Sequence, residues 1–291
     1  MKYIDLHVHS SASDGTLSPA EVVDRAVSLS LSAFALTDHD TLNGVAEAKE
    51  RAAWHTAHGS HIEVYSGVEI SAAYKNRDIH ILGLLVDEEN EALRTTLEKA
   101  VQNRIGRNYK ILERFSELGI SLCMEDLYGD CPDTVITRAH FAKALVAKGI
   151  VSSPAEAFER YLNYDAPCYV SREYPSPEQA VSLILKAGGV PVLAHPLLYE
   201  LPHEELLSLL DRLKQAGLAG LEVFYSTNHG QDETDLKALA AHFSLIMTGG
   251  SDFHGAVKPS IELGRGKGNL SIPYSVLERV KETKEKLHGT K

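Results

Sequence analysis

Near one end of the chain the residues run Asp5-Leu6-His7-Val8-His9, and near the other Gly250-Ser251-Asp252-Phe253-His254. In an extended strand residues i and i+2 share a face. His7 and His9 therefore present two imidazoles side by side, and Asp252 and His254 set a carboxylate beside an imidazole. Three more fragments carry the same chemistry: Thr37-Asp38-His39-Asp40, Gly67-Val68-Glu69-Ile70-Ser71 and Leu193-Ala194-His195-Pro196. Each follows an apolar, strand-like run, and His80 and Asp14 sit in comparable places. A lone histidine on an apolar strand is ordinarily a hydrogen-bonded core residue. His7, His9, Asp14, His39, Glu69, His80, His195, Asp252 and His254 together form a different pattern, because all fall at or just after predicted strand ends. Acids and imidazoles converging on one mouth are costly to bury unless something cationic pairs with them. Imidazole and carboxylate without thiolate suit Mn²⁺, Fe²⁺ or Zn²⁺ rather than copper(I) or iron–sulfur clusters. His55, His58, His61, His203, His229, His242 and His288 lie in polar helix or loop contexts and are assigned no role.

The elements that must position these residues are legible from periodicity. Strand-like runs occur at 3–9, 33–39, 62–70, 79–86, 190–195, 218–225 and 245–248, and helical patterns separate most of them. The helix after Ser18 has a full start signal, with Ser18 as N-cap, Pro19 at the first helical position and Glu21 closing a capping box. Ser153-Pro154-Ala155-Glu156 and Ser176-Pro177-Glu178-Gln179 repeat that signature. Such alternation predicts parallel strands with covering helices, closed into a barrel whose chemistry lies at the carboxyl ends of the strands. From 91 to 175 the strand signal disappears and helices are expected at 91–118, 137–148 and 154–163. We therefore expect a barrel formed by 1–90 and 176–291, interrupted by a helical, substrate-binding insert at 91–175. The segment 274–287 reads as an amphipathic closing helix.

Length and composition narrow the function. At 291 residues the chain can bury a full core. Its formal charge of −11 argues against coating duplex DNA, which requires many phosphates to be neutralised by lysine and arginine. A short anionic substrate remains compatible. Cys123, Cys131 and Cys168 show no CxxC pairing, so neither a zinc knuckle nor a disulfide framework is expected. The chain opens into a strand without a leader, and its apolar runs are too short to span a membrane. The expectation is a soluble protein of the reducing cytoplasm, with no membrane partner. No GxSxG elbow or Walker A loop occurs, and no cysteine has a recognisable histidine partner. Asp5, Asp38 and Asp40 are either acceptors that orient imidazole N–H groups or solvated loop carboxylates.

His7-x-His9, Ser13-Asp14-Gly15-Thr16, Thr37-Asp38-His39-Asp40, Gly67-x-Glu69-x-Ser71, Ala194-His195-Pro196 and Gly250-Ser251-Asp252-x-His254 resemble the motifs of the PHP (polymerase and histidinol phosphatase) family, metal-dependent phosphoesterases. The resemblance implies an α/β fold, a distorted (βα)7 barrel, holding three divalent ions, Mn²⁺ foremost with Fe²⁺ or Zn²⁺ as alternatives. Carried over by motif, His7, His9, Glu69 and Asp252 hold the first ion; Glu69 bridges to a second held by His80 and His195; Asp14, His39 and His254 hold the third. Three such ions bring about +6, of which three carboxylates and a bridging hydroxide remove about four, leaving roughly +2 for a phosphate. Catalysis is thereby assigned to Glu69, Asp252 and His254, with the leaving oxygen protonated by metal-bound water or by His254. Thr137-Arg138-Ala139-His140 and Tyr169-Val170-Ser171-Arg172-Glu173 further resemble the subgroup of 3',5'-nucleotide bisphosphate phosphatases and 5'-3' RNA exonucleases. That match nominates Arg138, His140 and Arg172 as substrate contacts. The reaction it implies is hydrolysis of the 5'-phosphate ester of a nucleotide bisphosphate or of a short 5'-phosphorylated oligoribonucleotide. The alternatives are histidinol-phosphate phosphatase and a non-catalytic, metal-stabilised module.

Overall fold

The computed structural model describes residues 2–75, 77–128, 136–171 and 174–289. Seven strands, β1 (Ile4–Val8), β2 (Ala33–Leu36), β3 (Glu63–Tyr74), β4 (Arg77–Leu84), β5 (Val190–Leu193), β6 (Gly220–Tyr225) and β7 (Ile246–Gly250), form one sheet in chain order. The sheet curls almost into a ring. Val8 bridges to Phe253, the His9 N–H donates to the Phe253 carbonyl at 3.0 Å, and the Asp252 N–H donates to the His7 carbonyl at 2.8 Å. Gly250 permits this closure, since a Cβ there would stand 2.3 Å from the His7 Cβ.

Neighbours run parallel except around β4, which is antiparallel to both β3 and β5. This corrects the expectation of uniformly parallel strands. Only two residues separate β3 from β4, too few for the crossover that a parallel pair requires. β3 also continues to Tyr74, beyond the predicted end at 70, so Glu69 lies within a strand rather than at its end. His80 lies in the first half of β4. Because β4 is reversed, that half faces the same mouth as the carboxyl ends of the other strands.

The helices α1 (Pro19–Ser28), α2 (Val45–Ala57), α3 (Glu91–Glu117), α4 (Met124–Tyr128), α5 (Arg138–Ala147), α6 (Pro154–Ala157, continued by a π-turn to Leu162), α7 (Pro177–Lys186), α8 (His203–Ala216), α9 (Asp232–His242) and α10 (Tyr274–His288) complete the chain. Capping boxes form at Ser18 and Ser176 as predicted. Ser153 caps α6, but the Glu156 carboxylate turns back to Ser152, accepting from its N–H at 2.7 Å and its hydroxyl at 2.6 Å. Apolar clusters lie between the sheet and α1–α2 and between the sheet and α7–α9. Leu277 and Val280 of α10 are fully buried beside Ile4, Leu84 and Val192, each burial being worth about 1.5–3 kcal/mol. The helices between β4 and α7 build an apolar cluster of their own from Ile111, Phe115, Phe141, Leu145, Leu162 and Cys168. The short α4 was not anticipated.

Candidate metal centre

The predicted ligands meet at the barrel mouth, and Glu69 lies at their middle. Its Oε2 faces His7 Nε2 at 3.3 Å, His9 Nε2 at 3.1 Å and His39 Nδ1 at 3.2 Å. Its Oε1 faces His80 Nδ1 at 2.8 Å and His195 Nε2 at 2.9 Å. Asp252 Oδ1 lies 3.6 Å from His7, 3.3 Å from His9 and 3.3 Å from His254. Asp14 faces His254 at 3.2 Å, His9 at 3.7 Å and His39 at 3.9 Å. Three overlapping groups thus have all ligand atoms within 4.8 Å of one another: His9, Asp14, His39 and His254; His7, His9 and Glu69; and His39, Glu69 and His80. Glu69 belongs to two of them, with Oε2 toward His7, His9 and His39 and Oε1 toward His80 and His195. His9 also groups with Asp14, His39 and His254, and His39 with Glu69 and His80, so the ligand sets interlock more than the motif assignment separates them.

The backbone is shaped to bring these groups together. β2 and β3 leave His39 bridged to Glu69. Gly15 lets the Asp14 loop fold against β1, where a Cβ would meet the His9 carbonyl at 2.8 Å. His195 and Asp252 take positive φ, 26° and 56°, a region costly for residues with a side chain and found where function holds it in place.

Electrostatically the cluster keeps three carboxylates ionised, an anionic site suited to cations. Burial alone would raise the carboxyls, but the imidazoles of His39, His80 and His7 hold Glu69 well below its ordinary range, and His254 and His39 do the same for Asp14. Asp252 is held low by Lys258, His254 and His7 against the same burial. His7 is pushed well up, its burial outweighed by Glu222, Glu69 and Asp252.

A PHP domain profile matches residues 5–164, more than half of the chain. The chain belongs to the PHP family. It is 37% identical over 256 residues to a 3',5'-nucleoside bisphosphate phosphatase of Chromobacterium violaceum, spanning 87% of this chain and 88% of that protein. It is 36% identical over 272 residues to the 5'-3' exoribonuclease Rnm of Escherichia coli K12, spanning 94% and 90%. A solved structure of a Chromobacterium violaceum amidohydrolase with bound sulfate superposes with a TM-score of 0.85 at 34% identity, covering 97% of this chain and 96% of that one. Like its PHP relatives, the chain is a metal-dependent phosphoric ester hydrolase.

The residues at the PHP mouth fit divalent ions. Among the described residues, His7 Nε2, His9 Nε2 and His39 Nδ1 are buried nitrogens without a hydrogen-bond partner that face the cluster, each an imidazole atom suited to ligation. The tautomers agree at two positions. His7 Nδ1 lies 2.9 Å from Glu222 Oε1, and His254 Nδ1 lies 2.9 Å from the Asp252 carbonyl oxygen, an obligate acceptor. Each ring spends its Nδ1–H on that acceptor and turns Nε2 toward the cluster, His7 through a carboxylate and His254 through a backbone carbonyl, the two kinds of partner that orient ligating imidazoles.

Glu222 was missed from the sequence. Fully buried in β6, it orients His7 and accepts the His195 N–H at 2.8 Å. The available signal was a carboxylate inside an otherwise apolar strand. Asp38 does not orient an imidazole; it accepts from the Ser10 N–H at 2.8 Å and from the hydroxyls of Ser10 and Ser13. Asp40 holds the Ser71 N–H at 2.8 Å and the buried Arg104 of α3. Asp5 ties β1 to the N–H groups of Ser251 and Gly264.

Of the nominated substrate contacts, Arg138 donates to Asp78 at 2.6 Å and to the Leu162 carbonyl at 3.2 Å. His140 closes an N-terminal capping box on α5, its Nδ1 accepting the Thr137 N–H at 3.0 Å, and the Thr137 hydroxyl lies 3.2 Å from Asp14. Arg172 lies outside the described residues, as does Cys131. Arg138 lines a cavity of about 200 Å³ with Lys75, Arg77, Arg107, Tyr169 and Ser171. Arg107 had gone unnoticed. Its guanidinium is buried, hydrogen-bonded to the neutral Asn108 amide, and pushed down to about 9 by burial and by Arg104 and Arg138.

Proposed function

We propose that this PHP enzyme hydrolyses the phosphoester on the 3' oxygen of a nucleotide whose 5'-phosphate it holds, in nucleoside 3',5'-bisphosphates and at the 5' end of short RNAs. The observation that carries this reading is the arginine-lined cavity beside the metal centre. Asp78, the partner of Arg138, and His80 share one face of β4, about 7 Å apart along the strand. A nucleoside between two phosphates can span such a gap.

A bisphosphate phosphatase and a 5'-3' exoribonuclease have one substrate element in common, a nucleoside with a 5'-phosphate and a phosphoester on its 3' oxygen. One site serves both if the 5'-phosphate is the handle and the 3' ester is cut. This moves the cut from the 5' ester, where the sequence reading set it. Arg107 and Arg138 offer planar forks suited to phosphate oxygens, and a phosphate would supply the buried Arg107 with the anion its neutral Asn108 contact does not.

At the mouth, His7, His9, Glu69 and Asp252, Glu69 with His80 and His195, and Asp14, His39 and His254 would hold three divalent ions, Mn²⁺ first. Such ions supply Lewis-acid charge for an attacking water and for the phosphoryl oxygens. Glu222 fixes the His7 ring, and Tyr225 fixes Asp252 through a 2.6 Å hydrogen bond to Oδ2. Water attacks phosphorus as the bond from phosphorus to O3' breaks; the water's oxygen stays on the phosphate and the proton it gives up ends on O3', which leaves as a hydroxyl. His254, buried with Nε2 on Asp14, serves as a ligand.

The test is product analysis with Mn²⁺-loaded protein. Adenosine 3',5'-bisphosphate should yield 5'-AMP and orthophosphate, and a 5'-phosphorylated oligoribonucleotide should yield 5'-mononucleotides. Formation of 3'-AMP would reverse the assigned polarity, and faster release from histidinol phosphate would reject the nucleotide assignment.

A further inference from the structure

Lys258 follows the Asp252–His254 motif in the loop after β7, and neither the motifs nor the reaction above uses it. Its Nζ lies 2.6 Å from Asp252 Oδ2. That oxygen also receives the Tyr225 hydroxyl at 2.6 Å, while Oδ1 faces His7, His9 and His254. The ammonium is therefore held on the oxygen of Asp252 that the imidazoles leave free, and its charge acts on His254, Asp14 and Glu69 of the cluster. The lysine side chain is 35% exposed, whereas Asp252 is almost fully buried. A lysine carries three N–H donors, and Asp252 takes one.

The loop that carries Lys258 is fixed rather than incidental. Gly255, at φ 63°, brings it against Thr16, whose hydroxyl accepts the Ala256 N–H at 2.9 Å; the Lys258 N–H then donates to the Gly255 carbonyl at 3.1 Å. Thr16 belongs to the loop that supplies Asp14, so one short segment is anchored on both flanks of the ligand cluster. A surface lysine with no task would not need its partner to be a buried carboxylate of the centre.

We propose that Lys258 is a catalytic residue that contacts the transferring phosphoryl group, donating from its ammonium to a non-bridging oxygen while Asp252 holds the side chain in place. This rests on the phosphoesterase reading and deepens it. In phosphoryl transfer, charge on the equatorial oxygens is met mainly by positioned cations, and a fixed donor at the mouth adds to that without covalent chemistry. No bond to Lys258 forms or breaks.

The experiment compares wild type, Lys258→Met and Lys258→Arg as Mn²⁺-loaded full-length proteins, with three readouts: bound manganese per chain, inhibition by orthophosphate, and turnover of p-nitrophenyl phosphate and adenosine 3',5'-bisphosphate. Lys258→Met should weaken orthophosphate inhibition about tenfold or more and lower kcat about 100-fold on both esters, with manganese unchanged. Lys258→Arg should recover part of both. A fall in bound manganese with unaltered orthophosphate inhibition would make Lys258 a prop for Asp252 and overturn the proposal. So would a Met variant indistinguishable from wild type. If wild type cleaves p-nitrophenyl phosphate but neither nucleotide nor RNA, the nucleotide assignment fails while the orthophosphate readout still decides the role of Lys258.

Discussion

The barrel mouth and the arginine-lined cavity between β4 and the α3–α6 helices both concentrate charge, but they are built in different ways. At the mouth, the candidate ligands arrive from several strands and the loops that follow them, all but His39 and His80 are buried, and several are fixed by a further contact: His7 by Glu222, His254 by the Asp252 carbonyl, Asp252 by Tyr225. In the cavity the cationic groups come from the β3–β4 turn, β4 and two helices, and their partners are mixed. Arg138 has Asp78, Lys75 has Glu205, and Arg107 has a neutral amide. The mouth is over-determined, as hydrolysis requires. The cavity rests on a few side chains, so substrate choice can change there without dismantling the chemistry.

The largest effect that would break this contrast concerns Glu69. Glu69→Gln removes the carboxylate that faces five imidazoles. Hydrolysis of every phosphoester should fall to background, and bound Mn²⁺ should fall with it. Mn²⁺ at 100 times its dissociation constant should stabilise the wild type by about 2.7 kcal/mol, visible as a rise in Tm that a chelator reverses. The variant should lose most of that rise. A variant keeping both metal and turnover would show that the mouth is not the hydrolytic centre.

Next comes Glu222→Gln, which keeps the shape in β6 but weakens the hydrogen bond that sets the His7 tautomer. Metal affinity or activity should drop about 10- to 100-fold, on p-nitrophenyl phosphate and nucleotides alike, because the defect lies on the hydrolytic side. The cavity should behave oppositely. Arg107→Met and Arg138→Met each remove a cation expected to meet the 5'-phosphate, worth about 1.5–3 kcal/mol for a charged hydrogen bond. The KM for adenosine 3',5'-bisphosphate should rise about tenfold or more, with p-nitrophenyl phosphate turnover within a factor of two of wild type. Equal losses on both substrates would merge the two regions into one.

The same contrast explains what could be read before the fold was known. The ligands at the mouth announce themselves by type and spacing: a histidine two positions from another in an apolar strand has few ordinary reasons to be there. Glu222 is quieter, because one carboxylate in Gly220–Tyr225 carries no partner in its own segment; its meaning comes from His7, more than 200 positions away. Asp38 and Asp40 flank His39 yet serve Ser10, Ser13 and Arg104, a difference set by loop geometry that spacing does not contain. β3 and β4 were legible only as two separate apolar runs, at 62–70 and 79–86, expected to be parallel; β3 continues to Tyr74, and their antiparallel pairing follows from how few residues join them. Arg104 and Arg107 were hidden for a different reason. In a long helix rich in charge, an arginine is by default on the solvated face; Asp40 and Ser71 draw Arg104 inward, and Arg107 is enclosed with β4 and the 169–171 segment around one cavity.

The smallest predicted effect probes the boundary of the cavity. Gly106 sits in the middle of α3 with helical geometry, and a Cβ built on it would meet none of the described residues within 4 Å. Neither a turn nor a close neighbour in the fold calls for glycine, although glycine in a helix interior costs about 0.5–1 kcal/mol relative to alanine. The residue borders a groove of about 470 Å³ with Arg107, Lys110, Val170 and Ser171, and three of these, Arg107, Val170 and Ser171, also line the arginine cavity. Gly106→Ala should therefore raise Tm by roughly 2 °C. If the nucleotide lies along this groove, the added methyl occupies its space and the KM for short 5'-phosphorylated RNA rises several-fold, with p-nitrophenyl phosphate unaffected. A gain in Tm with KM unchanged for RNA would confine substrate recognition to the arginine side chains and leave the helix surface outside it.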